Sequence, residues 1–331
     1  MITYFVTGGA GFIGSNFIKF IFEKYGDKVR VINLDLLTYA GNMDNLLEIK
    51  DFPEYRFIQG DICDKKVVEG IFNAYDISYV VHFAAETHVD RSIEDAEVFV
   101  RTNVMGTLNL LNCAKKAWET QDGFKDGRRF LYISTDEVYG ELGMEGYFTE
   151  ASPFVPRNPY SVTKASGDMM CRAFYETYRF PVVRTRCSNN FGPGQFNEKL
   201  IPLFITNCIH HKKLPVYGDG LAVRDWIYVT DHCKAVDLVL TKGNPGEVYN
   251  IGSHNEKNTL EIAEIILRIL NEKYNFDVSG DYISFIPDRK GHDRRYAIDS
   301  GKIKRELGWS SEISFYDGMQ KTIAWYLKLQ V

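Results

Sequence analysis

The 331-residue sequence lacks a basic surplus, closely paired cysteines and any long apolar run. Its 39 lysines and arginines are outnumbered by 44 aspartates and glutamates, whereas nucleic-acid-binding proteins usually carry excess positive charge. Six cysteines without a Cys-x-x-Cys pattern predict reduced thiols, and we predict no metal site. No stretch reaches the roughly 18–20 apolar residues of a membrane helix, and the N-terminus lacks the basic segment of a signal peptide. We therefore expect a cytoplasmic protein that binds neither nucleic acid nor membranes.

The residues that are present are typical of a globular protein. Apolar residues make up 45% of the chain and charged residues 25%, which excludes a disordered or collagen-like chain. In the first half, short apolar segments alternate with helical patterns. Strands are predicted at 3–7, 29–35, 56–59, 79–85, 130–134 and 182–187, and helices at 12–25, 65–73, 95–118 and 159–178. This alternation indicates an α/β fold with a Rossmann-type, doubly wound parallel sheet.

The alternation ends near residue 187, where a smaller mixed α/β domain is predicted to begin. Helices are predicted at 200–211, 260–273, 302–307 and 315–329. Two later pieces, a helix at 231–241 and a strand at 248–251, are expected to return to the first lobe. We therefore predict two interleaved domains, one of residues 1–188 plus 226–252 and the other of residues 189–225 plus 253–331.

A glycine-rich turn follows the first predicted strand and opens the first helix. It fits G-x-G-x-x-G at Gly9, Gly11 and Gly14, and it also fits G-x-x-G-x-x-G at Gly8, Gly11 and Gly14. Such glycines let the backbone approach a pyrophosphate, which then faces the N–H groups at the start of the helix. Asp35 ends the second strand, where an acid suits the ribose 2′-hydroxyl, and no arginine follows before residue 51 to accept a 2′-phosphate. The pattern therefore predicts NAD rather than NADP.

Tyr160 and Lys164 lie one turn apart on one predicted helix. A free tyrosine is a poor base at neutral pH, and a nearby ammonium lowers the pKa of its phenol. Lys164 is also placed to hold the nicotinamide ribose. A Y-x-x-x-K pattern alone is common by chance, but it gains weight after a dinucleotide motif and a fifth strand.

Two adjacent carboxylic acids, Asp136 and Glu137, follow that fifth strand. Ligands bind at the carboxyl ends of strands in such sheets. Two acids buried side by side cannot both ionise easily, so one is expected to have a raised pKa and to stay protonated. The pair then supplies an acid and a base together. The alternative is an ordinary turn with two solvated acids.

Two histidines near the fourth strand are assigned different roles. His82 lies within the apolar run and is predicted to be a locally hydrogen-bonded core residue, whereas His88 follows the strand and is expected to face a substrate. Cations and amides in the polar segments of the second lobe suit a second phosphate-bearing ligand, although loop residues of these types are usually solvated.

Together these motifs resemble the extended short-chain dehydrogenase/reductase superfamily. Within it, four segments are similar to signatures of nucleotide-sugar 4,6-dehydratases, specifically those that act on dTDP-glucose. The segments are AAETHVDRS at 84–92, TDEVYG at 135–140, EKLIP at 198–202 and RDWIYV at 224–229. The resemblance runs from Ile2 to about residue 329. Sugar epimerases of the superfamily lack the Asp136–Glu137 pair, which makes this pair the discriminating feature.

The resemblance implies a hydro-lyase of deoxysugar biosynthesis that converts an NDP-glucose into its 4-keto-6-deoxy form. Tyr160 would take the 4-hydroxyl proton as hydride passes from C4 to tightly bound NAD, and Thr135 would orient the 4-oxygen. Glu137 would then remove the C5 proton, and Asp136 would protonate the C6 hydroxyl as it leaves as water. Return of the hydride to C6 completes the reaction and regenerates NAD.

The resemblance also implies binding residues and an assembly. Cofactor contacts are expected at Gly8, Gly11, Phe12, Ile13, Gly14, Asp35, Asp61, Ile62, Ala84, Ala85, Thr102, Tyr160, Lys164 and Asn190. Substrate contacts are expected at Glu86, Thr87, Asn189, Glu198, Lys199, Leu200, Arg224, Asn258, Arg289 and His292. Family members are usually homodimers joined by a four-helix bundle, and the helices at 95–118 and 159–178 are the candidates here.

The sequence departs from the family pattern at the nucleotide end of the expected site. The departures are Phe191, Gly194, Asn197, Asn258 followed by Thr259, and Lys290, together with a short segment between residues 140 and 159. They leave the choice between dTDP and UDP open. The competing functions are a UDP-sugar 4,6-dehydratase, an NDP-sugar 4-epimerase, and a non-catalytic NAD-binding sensor, which would typically lack the Tyr160–Lys164 pair.

Overall fold

The computed structural model describes residues 1–288 and 290–328 of the chain. The strands are β1 Ile2–Thr7, β2 Val29–Asp35, β3 Tyr55–Gln59, β4 Tyr79–His82, β5 Glu119–Thr120, β6 Gly123–Phe124, β7 Arg129–Thr135, β8 Val182–Cys187, β9 Asn189–Phe191, β10 Leu214–Tyr217, β11 Val223–Tyr228, β12 Val248–Ile251, β13 Glu256–Asn258 and β14 Ile283–Ile286. The α-helices are α1 Phe12–Tyr25, α2 Lys65–Ala74, α3 Val89–Glu94, α4 Ala96–Phe99, α5 Thr107–Trp118, α6 Pro159–Tyr178, α7 Leu200–Ile209, α8 Val229–Lys242, α9 Thr259–Tyr274, α10 Gly301–Leu307 and α11 Phe315–Lys328.

A seven-stranded parallel sheet forms the first lobe, in the order β12-β8-β7-β4-β1-β2-β3. Its strands are apolar runs because both faces are covered, by α1 and α8 on one side and by α2, α5 and α6 on the other. This arrangement confirms the predicted doubly wound α/β fold. The chain builds the sheet outward from β1 in both directions, so a crevice opens beyond the carboxyl ends of β1 and β4.

The strand at 248–251 returns to this sheet, as the sequence predicts. β12 pairs in parallel with β8, from Val248 opposite Arg184 to Ile251 opposite Cys187. The helix before it, α8, packs against α1 and begins two residues earlier than predicted.

The second lobe contains the sheet β13-β11-β9 and the pair β10-β14. Helices α7, α9 and α11 enclose a separate core around Phe191, Phe204 and Ile266. The domain boundary predicted between residues 225 and 226 falls inside β11, whose partners β9 and β13 both belong to the predicted second domain.

The helix predicted at 95–118 is present from residue 96, but it is not uniformly α-helical. The chain instead forms α4, a π-helical segment at Val100–Gly106 and α5. Within this π-helical segment, the buried side chain of Asn103 forms hydrogen bonds with the backbone N–H and carbonyl groups of Glu86. Among the residues that the structure describes, no helix is both long and apolar enough to cross a membrane.

Candidate active site

A cavity of about 330 Å³ lies at the carboxyl ends of β1, β2, β4 and β7, and Gln195, Phe196 and Lys199 of the second lobe line its other side. It therefore occupies the point where the strand order changes direction, which is the expected ligand position in an open α/β sheet.

The glycine turn between β1 and α1 forms one wall of the cavity. Gly8 has φ +72°, and a Cβ atom there would lie 2.5 Å from the backbone nitrogen of Ala84. A Cβ atom on Gly14 would lie 2.3 Å from the carbonyl oxygen of Gly8. No acidic residue occupies the first turn of α1, whose open N–H groups favour an anion. Only glycine therefore allows the turn to pack this closely against the backbone after β4 and against the start of α1, and the open N–H groups of α1 fit a pyrophosphate.

Asp35 is held at the cavity wall by the same turn. One of its carboxylate oxygens accepts a hydrogen bond from the backbone N–H of Ala10 at 2.9 Å, and the other accepts from Leu37 at 2.8 Å. Burial nevertheless raises the pKa of this carboxyl group. Each oxygen keeps a further acceptor position, so the predicted contact with a ribose hydroxyl is chemically possible.

Several buried polar atoms lining the cavity have no partner within the described part of the chain. They are Ser134 Oγ, Asp136 Oδ2, Ser188 Oγ, Asn190 Oδ1 and Gln195 Oε1. An unpaired buried polar atom costs about 1–3 kcal/mol. Their concentration here, together with the glycine turn and Asp35, fits a polar ligand such as a dinucleotide.

The turn Asp136–Tyr139, which we call the acid–base turn, is a 3₁₀ helix directly after β7. Thr135 begins it by accepting a hydrogen bond from the backbone N–H of Glu137 at 3.3 Å, and its hydroxyl lies 3.2 Å from Asp136 Oδ1. Burial and the neighbouring Glu137 carboxylate raise the pKa of Asp136 well above its usual value. The prediction that one of the two acids has a raised pKa is confirmed, and that acid is Asp136.

Helix α6 carries Tyr160 and Lys164 to the cavity. Asn158 starts the helix with a capping box, in which its side chain accepts from the N–H of Ser161 at 2.9 Å, and proline occupies the first helical position. Burial lowers the pKa of Lys164 to about 8, and its ammonium donates to the carbonyl oxygen of Ile133 at 2.5 Å.

Among the protein's own residues, the predicted lowering of the Tyr160 pKa by Lys164 does not decide the net shift. Burial, followed by the Glu137 carboxylate, raises the pKa of the Tyr160 phenol well above its usual value. Burial penalises the charged phenolate, and the Lys164 ammonium is bonded to a backbone carbonyl.

The structure brings most of the predicted site residues to this one cavity. All five predicted catalytic residues and all of the predicted cofactor contacts line it, as do Glu86, Thr87, Asn189 and Lys199 of the predicted substrate contacts. The remaining substrate contacts do not line it or cannot be placed. Glu198, Leu200, Arg224, Asn258 and His292 lie outside the lining, and Arg289 lies outside the described residues.

The predicted residues outside the lining have other contacts in the structure. Arg224 donates to the carbonyl oxygen of Asp293 at 2.9 Å, yet it is close enough to Asp136 for its charge to oppose the raised pKa of that acid. His292 lies 2.6 Å from Asp288. Asn258 caps α9 by accepting from the backbone N–H of Glu261 at 2.9 Å, so the structure gives it a local role.

Both histidines near β4 have defined partners. His82 is buried and lies 2.7 Å from the hydroxyl of Thr7 and 2.9 Å from that of Thr107, which confirms a hydrogen-bonded core histidine. Burial lowers its pKa to about 3. His88 caps α3 and lies 3.8 Å from Glu198, outside the cavity lining.

Sequence reasoning missed several lining residues. They are Leu34, Leu36, Thr38, Ala40, Gly41, Gly60, Phe83, Ile133, Ser134, Cys187, Ser188, Gln195 and Phe196. Those at or just after the ends of β2, β7 and β8 could have been predicted to line the cavity, because the ends of these strands were predicted. Gln195 and Phe196 carried none beyond a cluster of glycine, proline and asparagine in their segment.

Comparison with known proteins identifies the family of the chain. The family model described as GDP-mannose 4,6 dehydratase matches residues 5–322. The dTDP-glucose 4,6-dehydratase of Neisseria gonorrhoeae is 49% identical over 329 residues, covering 97% of this chain and 94% of that protein.

Two solved structures give the same result. The dTDP-glucose 4,6-dehydratase of Bacillus anthracis in complex with NAD superposes with a TM-score of 0.89 at 46% identity, covering 99% of this chain and 97% of that one. The enzyme of the same name from Streptomyces venezuelae, with NAD and a second ligand bound, gives 0.90 at 45% identity with the same coverage. The chain therefore belongs to the GDP-mannose 4,6 dehydratase family, within which it is similar to dTDP-glucose 4,6-dehydratases.

Proposed function

We propose that this protein is an NAD-dependent dTDP-glucose 4,6-dehydratase, which removes water from the sugar nucleotide to give the 4-keto-6-deoxy product. The observation that carries the proposal is the cavity shared by three groups: a buried Asp136 with a raised pKa, the adjacent Glu137, and Tyr160. An epimerase needs a tyrosine base and bound cofactor but no acid and base for eliminating water.

The cofactor end of the cavity has residues suited to NAD. The glycine turn would hold the pyrophosphate, Asp35 the adenosine ribose, and Lys164 the nicotinamide ribose. When bound, NAD supplies the hydride acceptor for C4 and the hydride donor for C6, and its positively charged ring favours the Tyr160 phenolate.

The protein's own residues divide the remaining chemistry. Tyr160 takes the proton of the 4-hydroxyl, and Thr135 orients the oxygen. The resulting ketone acidifies C5, whose proton Glu137 removes. Asp136, kept neutral by its raised pKa, donates a proton to the departing C6 hydroxyl, which leaves as water.

The second lobe would hold the nucleotide diphosphate. Lys199 lines the cavity from that lobe and donates to the carbonyl oxygen of Thr87 at 3.3 Å, and Arg224 lies beside the acid–base turn. Two cations at this end suit a diphosphate. The roles of Glu86, Asn189, Glu198 and His292 in substrate binding are part of this proposal.

The assembly that we propose is a homodimer joined through α4–α5 and α6. Large apolar side chains lie exposed along both helical stretches: Val98, Val100 and Met105 on the first, and Val162 and Met169 on the second, each 45–54% exposed. Pairing these faces across two copies would bury them in a four-helix bundle. The six unpaired thiols support a reducing, cytoplasmic compartment.

The proposal is tested by incubating the purified protein with dTDP-glucose and, in parallel, UDP-glucose in deuterated water. We expect a 4-keto-6-deoxy product from dTDP-glucose with deuterium at C5. Faster conversion of UDP-glucose would instead identify a UDP-sugar 4,6-dehydratase, and a C4 epimer would identify an epimerase. If neither nucleotide yields a ketone or takes up deuterium, the proposed activity is refuted.

A further inference from the structure

A fully buried ionic network lies behind the candidate active site, and none of its members lines the cavity. Asp168, on α6 one turn after Lys164, accepts hydrogen bonds from two arginines of β8. Arg184 reaches it at 2.9 Å, and Arg186 binds it through two nitrogens at 2.9 and 3.1 Å. The Asp168 side chain has no exposed surface, and those of the arginines are 5–6% exposed.

The network continues from the helix into the acid–base turn. A further nitrogen of Arg186 donates to the hydroxyl of Tyr139 at 2.8 Å, and that hydroxyl donates to Asn250 Oδ1 at 2.7 Å. Tyr139 is the last residue of the turn that begins with Asp136. A single guanidinium therefore joins the helix bearing the tyrosine base to the turn bearing the acid and the base.

Stability alone is a weak reason for such a network. Burying three charges carries a desolvation cost that well-packed apolar side chains would avoid, and replacement of buried ion networks by apolar residues is often neutral or stabilising. What the network provides is a fixed geometry, since a planar guanidinium bonded to two partners permits only one relative placement of them. Reaction rates are sensitive to that placement, because a shift of about 1 Å can cost about 100-fold in rate.

We propose that the Asp168–Arg186–Tyr139 chain is a positioning device that fixes the acid–base turn against the helix bearing the tyrosine base. The inference rests on the proposed dehydratase activity, because it assigns the turn to elimination and the helix to oxidation. None of these three residues lines the cavity. They act by fixing the position of Asp136 and Glu137 relative to Tyr160, so that the acids reach C5 and C6 of the sugar while the tyrosine reaches C4.

The test is the Tyr139→Phe variant, which deletes the hydroxyl but keeps the ring that stacks on Phe148 at 5.1 Å. Oxidation at C4 is followed in single turnovers by the absorbance of reduced NAD, and elimination by deuterium entry at C5 and product formation. We expect C4 oxidation within about two-fold of wild type, elimination slowed by about 10- to 100-fold, and KM nearly unchanged. Reduced NAD should therefore accumulate in the variant.

A matched control is Tyr249→Phe, which removes the hydroxyl of another buried tyrosine; that hydroxyl bonds to Glu306 at 3.0 Å and to the backbone of Asn244, and makes no bond to the network. The control should keep the wild-type ratio of oxidation to elimination. If Tyr139→Phe slows both halves equally, or slows neither, the positioning role is overturned. If the wild-type protein itself shows no dehydration, the proposed function is refuted, and the inference, which depends on that function, is refuted too.

A second variant tests whether slower elimination in Tyr139→Phe comes only from a damaged fold. Arg186→Lys keeps the positive charge but cannot bond to Asp168 and Tyr139 through a planar fork. We expect it to show the same selective loss of elimination while its thermal unfolding remains cooperative. An Arg186→Lys protein that folds and retains the wild-type ratio would also refute the proposal.

Discussion

Asp136 and Glu137 are neighbours in sequence but lie in different environments. Asp136 is 1% exposed and has one carboxylate oxygen without a partner among the described residues. Its pKa is raised by burial and by the adjacent Glu137 charge. Glu137 is less buried and acts as the source of that charge. The two acids can therefore hold opposite protonation states at one pH, as the elimination of water requires.

The division of roles between these acids predicts the behaviour of Glu137→Gln. The amide keeps the size of the side chain but cannot accept the C5 proton. We expect deuterium exchange at C5 to fall by at least about 100-fold, a typical contribution of a general base, while C4 oxidation still reduces bound NAD. Mass spectrometry of the sugar nucleotide and NAD absorbance measure the two steps.

Glu145→Gln provides the control, since Glu145 is exposed and lies outside the cavity lining. Glu145→Gln should catalyse deuterium exchange at C5 at the wild-type rate. Unchanged C5 exchange in Glu137→Gln would place the base on another residue.

At the scale of elements, the π-helical segment Val100–Gly106 is the largest departure from the sequence prediction. It places Asn103 so that its Oδ1 accepts from the backbone N–H of Glu86 at 2.9 Å, and its Nδ2 donates to the carbonyl oxygen of the same residue at 3.0 Å. Nδ2 also lies 2.9 Å from the hydroxyl of Thr163 on α6. One side chain thus ties the loop after β4 to the tyrosine helix.

This bridge predicts a measurable cost for Asn103→Ala. The substitution leaves both backbone groups of Glu86 without their Asn103 partner in a part-buried place, so we expect the free energy of unfolding to fall by about 1–3 kcal/mol. Urea unfolding monitored by circular dichroism gives the value.

Asn112→Ala serves as the comparison, because Asn112 is exposed on α5 and alanine is the better helix former. The free energy of unfolding of Asn112→Ala should equal that of the wild type or be slightly higher. Equal stabilities of the two variants would show that the Asn103 bridge contributes nothing.

At the scale of the whole molecule, the exposed apolar side chains on α4–α5 and α6 predict that the chain self-associates. Met169 is 52% exposed and lies two turns after Val162 on the same side of α6. Met169→Glu would place a charge in the proposed bundle, so we expect light scattering to show the mass of one chain instead of two.

Met144→Glu is the matched control, since Met144 is 84% exposed but lies in the loop after the acid–base turn. It should remain dimeric. A wild-type protein that is monomeric at micromolar concentration would contradict the proposed dimer, as would a dimeric Met169→Glu.

Much of the first lobe could be predicted from local sequence. Helix α6 and strands β8 and β12 have the predicted bounds, because continuous apolar runs, a proline at the first helical position and helical spacing are local signals. The cavity residues at strand ends were predictable for the same reason, since the topology of a parallel sheet places those ends together.

Other features depend on contacts between distant parts of the chain. The π segment is shaped by the bonds of Asn103 to Glu86 and Thr163, which are 17 and 60 residues away. The raised pKa of Tyr160 follows from burial that helix spacing does not reveal, and the spacing alone predicted the opposite direction. The link from Asp168 through Arg186 to Tyr139 joins side chains separated by up to 47 residues.

The sequence by itself therefore determined the α/β architecture and predicted the glycine-rich turn and the candidate reacting groups, because each is encoded by residues close together in the chain. Only the tertiary structure decided which acid has the raised pKa, where the cation of Lys164 points and what holds the acid–base turn in place. Those properties depend on burial and on hydrogen bonds between remote residues, and they arise only when the folded chain excludes water from them.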